Sequence, residues 1–431
     1  MNQQKNSTEL YQLFEQHPVI TIDSRKITPA CIFFAIKGEL FDGNSFAAEA
    51  LKRGAAYAVI DNPAYSIENT ILVSNVLESL QELAGIHRSE LNIPVIGITG
   101  TNGKTTTKEL LNAVLGSHFR VQSTSGNLNN HIGVPLTILS LTRNTEIAII
   151  EMGANHPGEI DLLCEIARPT HGLITNIGKA HLEGFGGFNG VIKTKSELYH
   201  FLKKTQGTAF VNGDNALLIS LSEGIDRVLY GTNEGFQTYA SLAESDPYLQ
   251  VIWNHKRKVT YINTQLVGAY NLENVLAALS VADYFNIPEN KVIKAISGYV
   301  PSNNRSQKVK TDKNLVILDA YNANPSSMQA ALANFVQMKA DKKMVILGDM
   351  LELGEESARE HRAVIGMLKE YGLTDVLLVG PEFQKVSGNT LISFPDVSAA
   401  VKWLNQHPVS DYTILVKGSR GIKMEKVMEA L

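Results

Sequence analysis

The chain has few cysteines, no excess of basic charge and no long apolar run. Cys31 and Cys164 are the only two cysteines among 431 residues, too few for the disulfide framework on which small secreted folds depend. Two free, partly buried thiols in a reducing compartment are expected. Lysine and arginine number 39 against 43 acidic residues, for a net charge of −4. A protein whose main partner is nucleic acid carries a basic face. The balance argues against that class and leaves room for a local basic pocket around a small phosphate ligand. No stretch approaches the roughly 20 apolar residues of a membrane span. Residues 1–6 have no apolar core behind a basic start, so no signal peptide is expected. These absences fit a cytoplasmic protein with no membrane insertion.

What is present is an alternation. Short apolar runs rich in β-branched residues alternate with helical patterns from end to end, the signature of α/β architecture with largely parallel sheets. A chain of 431 residues exceeds what one core sustains, and three domains are expected. Residues 1–90 offer strands at 19–22, 32–36, 56–60 and 71–73. Residues 91–300 open on a buried strand and hold further strands at 147–150 and 173–176. Residues 301–431 follow a polar, turn-prone link, Pro301-Ser302-Asn303-Asn304-Arg305-Ser306. They offer strands at 315–318, 344–347, 376–379 and 413–416, as in a doubly wound sheet. Asn324 and Pro325 predict a capped helix start, with Met328, Ala331, Leu332, Phe335 and Val336 on its apolar face.

One segment carries chemistry by itself. Residues 95–98 read as a strand and 104–115 as an amphipathic helix, with Gly100-Thr101-Asn102-Gly103-Lys104-Thr105-Thr106 at their junction. Glycines let successive N–H groups turn toward one anion, and the helix N-terminus adds its positive end. Lys104 can reach terminal phosphates and the Thr105 hydroxyl can bind Mg2+. The spacing departs from G-x-x-x-x-G-K-[ST], whose first glycine falls on Ile98 here, with Gly97 and Gly100 on either side. A structural turn that contains a lysine is the rival reading. Glu151, at the carboxyl end of the strand 147–150, stands where α/β sheets bind ligands. It reads as a Mg2+ ligand or as a solvated strand end.

The chain resembles the Mur ligase family over nearly its whole length. Gly100 to Thr106 matches the family's own phosphate loop, including its departure from the usual spacing. Glu151-Met152-Gly153-Ala154-Asn155 matches its metal-binding segment, and Asn176-Ile177-Gly178-Lys179-Ala180-His181-Leu182-Glu183 the segment that supplies a histidine ligand, here His181. The resemblance implies three α/β domains: an N-terminal domain for a UDP-sugar, a central P-loop ATPase-like domain and a C-terminal Rossmann-like domain. It implies ATP and Mg2+, two ions by this pattern, with Lys104, Glu151, His181 and Lys195 as catalytic residues. Lys195, in Lys193-Thr194-Lys195-Ser196-Glu197-Leu198, matches a carbamylated lysine (N6-carboxylysine); an unmodified surface lysine is the other reading. Thr105, Glu151, His181 and Lys195 become the metal ligands.

The same resemblance assigns the substrates. Asn271 and Asn274 would contact the adenine, or else act as helix caps. Arg305 and Asp319 would face the nucleotide, Asp319 taking ribose hydroxyls. Ser24, Arg25, Lys37, Gly38 and Asp42 would hold a UDP-N-acetylmuramoyl-tripeptide. Asn127, Asn129 and Asn130, the segment Leu347-Gly348-Asp349-Met350-Leu351-Glu352-Leu353-Gly354, and Lys417 with Arg420 point to family members that add D-alanyl-D-alanine. Lys417 and Arg420 would receive the dipeptide's carboxylate, as arginine binds carboxylates in bidentate fashion, or serve as charges at a helix start. The implied reaction is ATP-dependent amide formation by a monomer. The rivals are a ligase adding the third amino acid, a ligase adding glutamate to folate, and a sensor of cell-wall precursors without catalysis.

Overall fold

The computed structural model describes residues 7–302, 304–388 and 391–431. Residues 1–6, read above for a signal peptide, and Asn303 of the link lie outside the described residues. Among the described residues the strands form three sheets, and each arises from one stretch of chain.

The first sheet is parallel and runs Ile20–Thr21, Ile32–Phe34, Tyr57–Ile60, Thr70–Leu72. Helix Val76–Glu90 follows it, capped by the Asn75 side chain at Leu77 N and Glu78 N. Its buried face, Leu80, Leu83 and Ala84, shares a core with Ile138 and Leu163 of the next unit. The buried Arg88 guanidinium donates to the carbonyls of Ala167, Leu91 and Arg168. This helix therefore ties the first unit to the second, and Arg88 is charged without a carboxylate because carbonyl oxygens satisfy it.

The second sheet has nine strands. Val95–Thr99 lies between Ile147–Glu151 and His171–Ile174, all parallel. The chain crosses from one side of Val95–Thr99 to the other after Glu151, so this strand marks the topological switch point where α/β sheets leave a crevice. The far edge is an antiparallel meander, Thr238–Glu244, Tyr248–His255 and Lys258–Val267.

The third sheet orders Gln307–Lys310, Leu315–Asp319, Thr413–Lys417, Lys343–Gly348, Val376–Val379, Ile392–Phe394. It is parallel except at the Gln307–Lys310 edge. The four strands expected here are present; Gln307–Lys310 and Ile392–Phe394 are additional. The first of these is polar, because an edge strand needs no apolar run. Helix Pro325–Gln337 begins as expected, with a capping box between Asn324 and Ser327. Met328, Ala331, Leu332 and Phe335 are buried, and Val336 is half-buried. Both cysteines are free and buried. No helix among the described residues is long and apolar enough to cross a membrane.

Candidate functional site

The carboxyl ends of the central strands and the facing loops of the third unit enclose a cleft of about 690 Å³. The phosphate loop forms one wall. Gly100 has φ +137° and Gly103 φ +79°, and a Cβ at Gly103 would sit 2.5 Å from Asn274 Oδ1. Glycine is required at both places by backbone conformation and by space. The loop is held from outside itself. Thr101 N donates to Asn176 O and Asn102 N to Asn176 Oδ1, each at 2.9 Å. Lys104 Nζ donates to Gly100 O at 2.8 Å and Thr101 O at 3.1 Å. An ammonium has three donors, so one is left to meet an anion. Burial pushes the Lys104 ammonium below its usual range, Glu151 opposes that shift and Arg305 adds to it.

Asn271 and Asn274 line the cleft, and their amides also bond inward. Asn274 Oδ1 accepts from Thr107 Oγ1 at 3.0 Å, Asn274 Nδ2 donates to Asn271 Oδ1 and Asn271 Nδ2 to Val267 O, both at 2.8 Å. They brace the helix behind the loop, and each amide nitrogen keeps a second N–H beyond these bonds. Asn271 makes no side-chain cap bond.

Glu151 ends its strand with 2% exposure. Its Oε1 accepts from Asn129 Nδ2 at 2.8 Å. Its backbone N donates to Thr124 Oγ1, and the buried Lys108 Nζ donates to Thr124 O at 2.7 Å. Among the described residues Glu151 Oε2 is buried with no hydrogen-bond partner. An orphaned carboxylate oxygen is costly, and a divalent cation removes that cost. Thr105 lines the same cleft, so a hard oxygen donor set that fits Mg2+ is present.

His181 also lines the cleft, at a left-handed φ of +50°, and its Nδ1 meets the Glu352 carboxylate of the third unit. Lys195 is 2% exposed. Its Nζ donates to Ala154 O at 3.5 Å and lies 5.4 Å from the Phe185 ring centroid. Ala154 is part of the cleft wall, so Lys195 stands one carbonyl behind it. Desolvation first, then Lys104, bring its ammonium down to about 7. The neutral amine this favours is the form that adds to carbon dioxide. A surface lysine is excluded by its burial.

The third unit supplies the opposite wall. Asp319 and Lys417 are register partners on adjacent strands, and Lys417 Nζ donates to Asp319 Oδ2 at 2.5 Å. Asp319 Oδ1 accepts from Ser306 N. Lys417, with 2% exposure, is held by Asp319 and by Asn322 O at 3.3 Å, so its charge is already paired, as a buried ammonium requires. Arg305 stacks on Tyr321 at 3.6 Å, and its Nε is buried without a partner among the described residues, a donor left to meet an anion. Arg420 is 5.7 Å from the same ring, outside the cleft lining, and near Glu425 at 3.8 Å. Asn324 does more than cap its helix: its Nδ2 donates to Asn102 Oδ1 at 2.8 Å.

The cleft thus gathers Thr101 to Thr106, Asn129, Asn130, Glu151, His181, Arg305, Asp319 and Lys417. Asn130 Oδ1 accepts from Gly133 N at 2.9 Å, while Asn127 is exposed and outside the lining. Ser24, Arg25, Lys37, Gly38 and Asp42 are not brought there; they lie on loops of the first sheet. Arg25 pairs with Asp23, Lys37 bridges Asp42, and Asp42 caps Asn44 N. Sequence reasoning passed over Asn176, Lys108, Thr124 and Tyr321 as site residues. Of these only Asn176 had a signal, a polar residue closing an apolar strand at the ligand end of the sheet.

Three family models match the chain in succession. They are the Mur ligase family catalytic domain at residues 18–98, the Mur ligase middle domain at 98–282 and the Mur ligase glutamate ligase domain at 304–420. The chain is 36% identical to the UDP-N-acetylmuramoyl-tripeptide–D-alanyl-D-alanine ligase of Bacillus subtilis (strain 168), covering 96% of this chain and 93% of that one. Crystal structure I of MurF from Acinetobacter baumannii superposes with a TM-score of 0.86 at 30% identity, covering 97% of each chain. MurF from Thermotoga maritima in complex with ADP gives 0.85 at 27% identity, covering 96% of each. A glycine loop braced from neighbouring strands, an orphaned carboxylate beside it and likeness along the whole length lead to one assignment: the chain belongs to the Mur ligase family.

Proposed function

We propose that this chain joins D-alanyl-D-alanine to UDP-N-acetylmuramoyl-tripeptide, with conversion of ATP to ADP and phosphate. The observation that carries the reading is the pairing across one cleft of Glu151 Oε2, a buried acceptor without a donor among the described residues, and Arg305 Nε, a buried donor without an acceptor among them. A magnesium phosphate complements both. Relatives named for this reaction cover 96% of the chain.

A terminal carboxylate of the tripeptide attacks the γ-phosphorus of ATP, the bond from that phosphorus to the β–γ bridging oxygen breaks, and ADP leaves. The dipeptide amine then attacks the acyl carbon, loses a proton, and phosphate departs. Little covalent work falls to the protein, whose part is positioning and charge stabilisation. The loop N–H groups and the third Lys104 proton hold the phosphates. Arg305 and the Asp319–Lys417 pair form the facing wall, where Asp319 keeps a lone pair for a ribose hydroxyl. Thr105 and Glu151 would hold one Mg2+, and His181 with carbamylated Lys195 a second. Bound metal neutralises charge on the moving phosphoryl group. The loops bearing Ser24, Arg25, Lys37, Gly38 and Asp42 are the proposed seat of the UDP-sugar. The working division is 1–90, 91–300 and 301–431, supported by each sheet lying within one range. A cytoplasmic monomer is part of the proposal.

The test is phosphate release from ATP with tripeptide precursors ending in either diaminopimelate or lysine. Release should require D-alanyl-D-alanine. Release with a dipeptide precursor and a free amino acid instead would favour the ligase of the preceding step. No release with any pair, despite nucleotide binding, would favour a sensor.

A further inference from the structure

We infer that Glu352 of the third unit is a positioning residue for His181, and that this carboxylate–histidine pair assembles when the third unit docks on the central one. The inference rests on the reading of His181 as a metal ligand. A histidine that binds metal through one ring nitrogen characteristically donates its other N–H to a carboxylate or carbonyl, which fixes tautomer and ring orientation. Here the Glu352 carboxylate lies in ion-pair contact with Nδ1, a buried nitrogen with no hydrogen bond to any other group among the described residues. That leaves the Nε2 lone pair for a cation.

Both partners are built for the contact. His181 has φ +50° and Glu352 φ +62°, left-handed conformations that non-glycine residues adopt rarely and that cluster at functional sites. The loop presenting Glu352 is pinned at three consecutive N–H groups. Asp349 N donates to Val379 O at 2.9 Å, Met350 N to His361 Nε2 at 3.1 Å and Leu351 N to Ser419 Oγ at 2.9 Å. His361 is wholly buried, so that support is rigid. Two further bonds flank the pair across the same interface. Lys179 Nζ meets Glu360 Oε1 at 2.8 Å, and Lys179 N donates to Ser326 Oγ at 2.9 Å. A ligand contributed by the central unit thus receives its orienting carboxylate from the third. The Glu352 side chain is 57% exposed, so its truncation removes no core contact.

The experiment uses the full chain with 15N-labelled histidine, the His181 signals being assigned by His181→Asn. Asparagine tolerates the left-handed backbone there. At pH 8 the wild type should show the Nδ1–H tautomer, and Glu352→Ala should shift it toward Nε2–H. Mn2+ binding in the presence of ADP, read by electron paramagnetic resonance, should weaken about 10- to 100-fold in Glu352→Ala. Glu352→Gln, whose amide oxygen still accepts, should keep the tautomer and most of the affinity. A wild-type Nε2–H tautomer overturns the inference. So does a Glu352→Ala chain with unchanged tautomer and Mn2+ affinity while His181→Asn weakens Mn2+. Should His181→Asn itself leave Mn2+ binding unchanged, the metal-ligand reading fails, and the inference with it.

Discussion

Asn324 offers a perturbation whose two effects can be separated. Its Oδ1 accepts from Ser327 N in the capping box of helix Pro325–Gln337. Its Nδ2 reaches 222 residues back along the chain to Asn102 Oδ1 at 2.8 Å. Among the described residues Asn102 is otherwise fixed through its backbone, by Asn176 and Thr175, and Asn324 is what ties its side chain to the third unit. Asn324→Ser keeps a capping oxygen of equal rank but is too short to reach Asn102. Loss of one neutral hydrogen bond costs about 0.5–1.5 kcal/mol net, which predicts roughly 2- to 10-fold weaker ADP binding if the nucleotide is held from both units. Asn324→Ala should show the same weakening and lose about 1 kcal/mol of cap stability as well. Calorimetric titration with ADP reads the first effect. Urea unfolding followed by circular dichroism reads the second, as an earlier transition for Ala than for Ser. Wild-type ADP affinity in the serine variant, or an alanine variant that unfolds with the wild type, would refute the reasoning.

Lys104→Ala should lower turnover by about 100- to 1000-fold, the usual effect of removing one preorganised charge stabiliser, with an unchanged circular dichroism spectrum; near-normal phosphate release in that variant rejects the role given to the loop. Lys195 should carry a carbamate detectable by 13C nuclear magnetic resonance in 13C-bicarbonate, growing as pH rises through about 7 and missing in Lys195→Arg; a spectrum without it at pH 8 in the wild type rules the modification out. For the unmodified amine the sign of linkage follows. The folded chain holds it at about 7 and the unfolded chain at about 10.4. Between those values the unfolded state binds more protons, so this group favours folding increasingly as pH rises across the window.

Much of the fold was legible because buried strands must be apolar. The runs at 147–150, 376–379 and 413–416 became Ile147–Glu151, Val376–Val379 and Thr413–Lys417. The meander strand Lys258–Val267 was also legible in principle, since Ile262, Thr264 and Leu266 are buried between exposed Tyr261, Asn263 and Gln265. Gln307–Lys310 was not, because an edge strand leaves no apolar signature. The phosphate loop was readable without any fold, as its chemistry lies within seven consecutive residues, although Asn176 and Asn324 hold it in place.

The sequence by itself therefore determined the α/β class, the nucleotide loop and the Asn324 cap, all consequences of neighbours along the chain. Only the tertiary structure decided what distant side chains do to one another. It turned the amides of Asn271 and Asn274 to brace the helix behind the loop, locked Lys417 onto Asp319, buried Lys195 until its ammonium fell to about 7, and set Glu352 against His181. Burial and counter-charge are properties of a neighbourhood in space, and no pattern along one chain states which residues will share it.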